Sequence, residues 1–107
     1  MAADPQRIDA DNHIREAINA LEAAQLRHLD HTDSATVQAA LGGLAIVQRS
    51  VTDAAITDSA RVAARLGQLA VAVKSCADAN VSLAYAELKS AAAIFEAMAE
   101  SAVNSSR

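Results

Sequence analysis

The stretch DSATVQAALGGLAIVQRSVTDA at 33–54 returns, 25 positions later, as DSARVAARLGQLAVAVKSCADA at 58–79. About half of the aligned positions are identical, among them Asp33/Asp58, Ser34/Ser59, Val37/Val62, Leu41/Leu66, Gly42/Gly67, Leu44/Leu69 and Ala45/Ala70. What recurs is the outline of a helix. Cap-type residues open each copy, and apolar residues follow three or four apart. The stripe of the first copy is Val37, Leu41, Leu44 and Val51, with Gln48 in the gap. That of the second is Val62, Leu66, Leu69, Val73 and Cys76. Self-similarity at a fixed period reads as duplication of one unit, here a helix plus its turn.

Similar helices lie on either side. Ile14, Ile18 and Leu21 lead a helix over 12–30, capped by Asp11 or Asn12, with an earlier start at Asp4 and Pro5 as the other option. The repeat supplies helices over 34–53, capped by Asp33 or Ser34, and over 59–78. A fourth runs over 81–103 on Val81, Tyr85, Leu88, Ala92, Phe95 and Ala99. The connectors are DHTDS at 30–34, TDAAITDS at 52–59 and DAN at 78–80. Short connectors between long helices specify an all-α, up-down antiparallel four-helix bundle. Helical hairpins that complete a bundle by dimerisation are the alternative. The inner turns contain neither Gly nor Pro, which leaves open continuous helices 2–3 or 3–4.

Composition agrees. The 107 residues suit one domain, read as 1–107 with flexible ends at 1–11 and 104–107. Hydrophobic residues make up 52% and aromatics only 2%; alanine, the best helix former, supplies about a quarter of the chain. The net charge of −4 and scattered basic residues argue against nucleic-acid binding. No apolar run reaches the length of a membrane span, so no membrane insertion is expected. The lone Cys76 excludes an internal disulfide framework, and the acidic, polar N-terminus does not read as a signal peptide; a cytoplasmic protein is expected.

No constellation of catalytic residues emerges. Glu16, Glu22, Glu87, Glu96 and Glu100 are spaced among basic residues, as on solvated helix faces. Tyr85 and Phe95 read as core anchors and Cys76 as a small core hydrophobe. His28 and His31, three apart at the end of the first helix, lack an assured third ligand for a metal, and the third histidine, His13, stands far away; neither metal nor cofactor is expected. The run AYAELKSAAAIFEA at 84–97 slightly resembles the phosphorylated helix of histidine phosphotransfer domains. Ala86 stands where that family carries its histidine, so no family is assigned.

Two features of the repeat bear on function. Folding helix 2 back on helix 3 sets Gly42 level with Leu69 and Gly67 level with Leu44, each glycine receiving a leucine. A mid-helix glycine costs about 1 kcal/mol relative to alanine, and close packing is the expected compensation. Helix 2 also has no charged residue from Ser34 to Gln48, whereas the second copy carries Arg65 where the first has Ala40. A helix apolar around most of its circumference is enclosed on more than one side. Leu41, Gly42, Gly43, Leu44 and Ile46 are therefore the expected protein interface. The expected function is that of a small non-enzymatic helical adaptor, inhibitor or regulator that binds protein and self-associates. The alternative is a structural or assembly subunit of a larger oligomer or secretion apparatus.

Overall fold

The computed structural model describes residues 5–27, 29–52 and 59–105, with side chains at all of these except 50–52 and 102–105. Four helices follow in order: α1 (Pro5–Gln25), α2 (His31–Thr52), α3 (Ser59–Val73) and α4 (Ala79–Ser105). They form an all-α four-helix bundle measuring 50 × 23 × 18 Å. The long axis is that of α4, whose 27 residues span about 40 Å at the rise of an α-helix.

The helix ends are set by local chemistry. α1 starts at Pro5, whose fixed φ and missing N–H suit the first helical position. Residues 5–11 are thus helical, the earlier of the two starts read from the sequence. α2 starts at His31, three residues earlier than expected. Asp30 is its cap: its Oδ1 accepts the Asp33 N–H at 2.7 Å and its carbonyl accepts the Ser34 N–H at 2.9 Å. The expected caps, Asp33 and Ser34, are instead the residues whose N–H groups are satisfied. Asp78 does the same for α4, taking the Asn80 N–H on its carboxylate at 2.8 Å and the Ser82 N–H on its carbonyl at 3.0 Å. Its other oxygen, Oδ2, lies 3.1 Å from Arg27 Nε, which ties together the two loops at this end of the bundle. α3 ends at Val73, before Cys76. The turn expected at 52–59 falls mostly outside the described residues, as does Val51's place in the stripe.

α4 is the hub. It packs closely against α1 and α3, while α2 lies less closely against α1 and α3. Side-chain size explains the difference, because it sets the distance between helix axes. α1 buries Ala10, Ala17, Ala20 and Ala24, and α4 buries Ala84, Ala91 and Ala92. His13 Nδ1 lies 2.5 Å from Glu87 Oε2 across this seam, which fixes an antiparallel register. At that register Ala10 lies within one residue of the level of Ala91, and Ala17 within one residue of Ala84. α2 contributes Val37, Ala40, Leu44 and Val47, and three of these four are branched side chains that hold it further out. Phe95, one of the two aromatics, is fully buried in the core. The interior is apolar: no polar or charged residue is buried among the described residues.

The two copies of the repeat are not equivalent in space. α2 and α3 are antiparallel in nearly the expected register, but each is turned differently about its own axis. α2 buries Ala40 and Val47, whose counterparts Arg65 and Ala72 are exposed. α3 buries Ala63 and Ala70, whose counterparts Gln38 and Ala45 are exposed. At 100° per residue this amounts to about a quarter turn. The polar substitutions between the copies, Gln38 for Ala63 and Arg65 for Ala40, sit where core and surface exchange.

Candidate interaction surface

The turn of α2 divides the five interface residues singled out from its sequence. Leu44 is fully buried in the core and Leu41 is half-buried against it. Gly43 is buried and faces α3: a Cβ placed there would lie 2.8 Å from Leu69 Cδ2. Gly42 and Ile46 point outward, and Ile46 is 65% exposed. The outer face therefore consists of Ala35, Gln38, Ala39, Gly42, Ala45 and Ile46. No charge interrupts it. Arg49 closes its C-terminal end. By comparison, the outer face of α1 carries Asp9, Arg15, Glu16 and Glu22.

These positions revise the glycine pairing. Leu69 does pack onto a glycine, but onto Gly43 rather than Gly42. Gly67 receives nothing; a Cβ there would have open space, as it would at Gly42. Adjacent glycines lie 100° apart on a helix, so the one-residue difference moves the packed site from the outer face to the α3 side. Gly67, expected from the sequence to receive Leu44, has room for an added Cβ. Gly42, exposed, and Gly67, half-buried, thus interrupt helix surface with no packing among the described residues to compensate.

Gly67 opens a groove between α3 and α4. Gly67, Gln68 and Val71 line one side and Tyr85 and Lys89 the other, around a volume of about 480 Å³. Val71 is 71% exposed, and Tyr85 is half-buried, resting on the core. The stripe rule could not find this groove, since it placed Tyr85 inside and gave Val71 no role.

At one end of the bundle Cys76 is buried in the α3–α4 loop rather than in a helix. Its thiol is pushed up to about 11, by burial first, then by its hydrogen bond to Asp33 and that residue's charge, then by the charges of Asp30 and Asp78. The protonated thiol is the form the fold favours. Its contribution to stability is complete below the ordinary thiol value of 9.0 and is lost as pH rises through about 11. At pH 8 a thiol-reactive disulfide should therefore label the native protein on the order of a hundredfold more slowly than the denatured chain, following the thiolate fraction. Equal rates in the two states would contradict this placement.

His31 opens α2 and is exposed, a correction to the first-helix terminus expected for it, and His28 lies outside the described residues. No group of three His, Cys, Asp or Glu able to hold a metal occurs among the described residues. No helix among them is long and apolar enough to cross a membrane. No family model, curated protein or solved structure matches the chain.

Proposed function

We propose that this is a non-enzymatic helical-bundle protein that acts by binding protein, including a second copy of itself, through the outer face of α2. The observation that carries this reading is the uncharged outer run from Ala35 to Ile46, with a large β-branched side chain largely in water and a glycine one turn before it. An exposed helix face gains nothing from Gly42 within the chain, whereas a missing side chain lets a partner's backbone approach closely. The looser seating of α2 suits the same role, because a helix held less tightly by its own fold adjusts to a partner. A buried free thiol accords with a reducing compartment, and we place the protein in the cytoplasm on that ground.

Size-exclusion chromatography with light scattering tests the reading. The mass of the wild type should rise with concentration above the 11.1 kDa of one chain. Ile46→Glu sets a charge in the middle of the face and should return the protein towards monomer with its helical circular dichroism unchanged. Loss of helicity in the variant would make Ile46 a core residue. Undiminished association would take the contact away from α2.

A further inference from the structure

The charges of the bundle are divided between two opposite sides. α1 and α3 each pack on both α2 and α4, so α2 and α4 stand diagonally and turn their outer faces in opposite directions. The side of α2 and α3 is basic: α2 after Asp33, and α3 throughout, include no carboxylate among the described residues. Arg65 leaves α3 towards α2, and its Nη2 lies 3.6 Å from the Cβ position of Gly43, beside the outer strip of α2. It hydrogen-bonds a neutral group, Gln68 Oε1, at 3.4 Å. Arg61, itself engaged, stands one turn earlier on the same side, and Arg49 closes the strip at its C-terminal end. Towards α1, opposite His13, the strip is bordered by the paired Arg15 and Asp11 and by Glu22, which leaves arginine in excess. Asp53 and Asp58 lie outside the described residues.

The opposite side is acidic. His13 meets Glu87 of α4, and the exposed Asp9 and Glu16 lie about one turn to either side of His13 on α1. On the other flank of α4, half a turn round from Glu87, Glu96 and Glu100 outnumber Lys89, and all three are exposed. Between the two flanks runs an uncharged strip of exposed residues: Leu83, Ala86, Ser90, Ala93 and Ala97. Leu83 is its one large apolar side chain and is more than half in water, as Ile46 is on α2. The strips at 35–46 and 83–97 are of similar length, about three and about four helical turns.

We propose that the outer face of α2 receives the outer face of α4 from a second copy of this chain, arginines against carboxylates, with Ile46 and Leu83 covered in the contact. The inference rests on the α2 face being a binding surface, and it names what that surface binds. Pairing α2 with α2 would instead bring Arg49 and Arg65 of both copies into one contact, with no carboxylate on either strip. Two different patches that point in opposite directions make a heterologous contact, so copies stack in an open series instead of closing as a dimer. Its charged component makes it weaken with salt. The contact covers the outer side of α4 and leaves the core-facing amides around Leu88 and Ala91 as they are.

Sedimentation velocity of the full chain over a range of concentrations provides the test. The wild type should form a series of species that extends beyond the dimer and shortens in high salt. Ile46→Glu blocks the α2 face and Leu83→Lys blocks the α4 face, so each variant alone should be a monomer with its helical circular dichroism unchanged. Mixed, the two variants keep one intact face each. They should form a single species of two chains, twice the 11.1 kDa of one, and nothing larger. Glu96→Lys/Glu100→Lys, which alters no apolar side chain, should weaken the wild-type series on the order of tenfold by setting like charges together. A Leu83→Lys chain that associates like the wild type, while Ile46→Glu does not, would overturn the proposal and leave the α2 reading standing. A mixture that stays monomeric, or a wild type whose association stops at a dimer, would overturn it in the same way. Association undiminished by Ile46→Glu would remove the α2 reading and this proposal together.

Discussion

Leu88→Ala should cost about 4–5 kcal/mol and Leu44→Ala only about 3 kcal/mol, although both leucines are fully buried. The chemistry removed is the same, a leucine side chain from an apolar core. The expected difference lies in what happens to the space left behind. Leu88 belongs to α4, which is held closely between α1 and α3 along alanine seams. Helices in such close contact have little room to move inward, so the cavity persists and its surroundings lose their contacts. Leu44 belongs to α2, which is seated less closely on both of its neighbours. That helix can shift to close part of the gap. Denaturant unfolding of the two variants checks this order. Equal losses would mean that α2 is held as firmly as α4.

The second large effect has the opposite sign. Gly42→Ala and Gly67→Ala should each stabilise the protein by about 1 kcal/mol, because alanine restricts the unfolded chain and an added Cβ meets open space at both positions. The sites lie on different helices and share no neighbour, so the effects should add to about 2 kcal/mol. For a domain of this size that is a rise in melting temperature on the order of 10 °C. Gly43→Ala forms the internal control. Its Cβ would lie 2.8 Å from Leu69 Cδ2, so Leu69 would have to move and much of the gain would be lost. Thermal unfolding of dilute protein separates these cases. An unchanged midpoint in the double variant would mean that something does pack on the two open glycines. Improvement available at two positions with open space is also what is expected where a protein gives up stability to keep a surface open.

The bundle itself was legible because Val37, Leu44, Leu66, Leu69, Val81, Leu88 and Phe95 recur at helical spacing, and all of these are buried; Leu41, Val62 and Tyr85, also on the stripes, are half-buried against the core. What the spacing could not supply was the rotation of each helix. Alanine occurs on every side of these helices and packs equally well inside or out. A stripe of leucines interrupted by alanine therefore fixes a face only to within about a quarter turn. That margin separates Gly43 from Gly42 and Ala40 from its counterpart Arg65. The hub position of α4 was hidden for the same reason, since it depends on alanines buried on both α1 and α4. The caps failed differently. DHTDS offers four residues with suitable oxygens, and Asp30 takes the role because it stands nearest the end of α1. The missing charge on α2 was plain from the start, but only its rotation shows that Gly43 and Leu44 serve the core while Gly42 and Ile46 face outward. Gln38, Ala39 and Ala45 complete that face, and as small or neutral residues they carried no signal of their own.

Amide hydrogen exchange at low and high protein concentration tests most directly the claim that α2 is the less tightly held helix and presents its outer face to a second copy. In dilute protein the amides of α4 around Leu88 and Ala91 should be the slowest to exchange, and those of α2 from Ala39 to Ile46 should be clearly faster. At high concentration the α2 amides should slow while those of α4 stay as they were. Protection of α2 equal to that of α4 in dilute protein, with no change on concentration, would contradict the account.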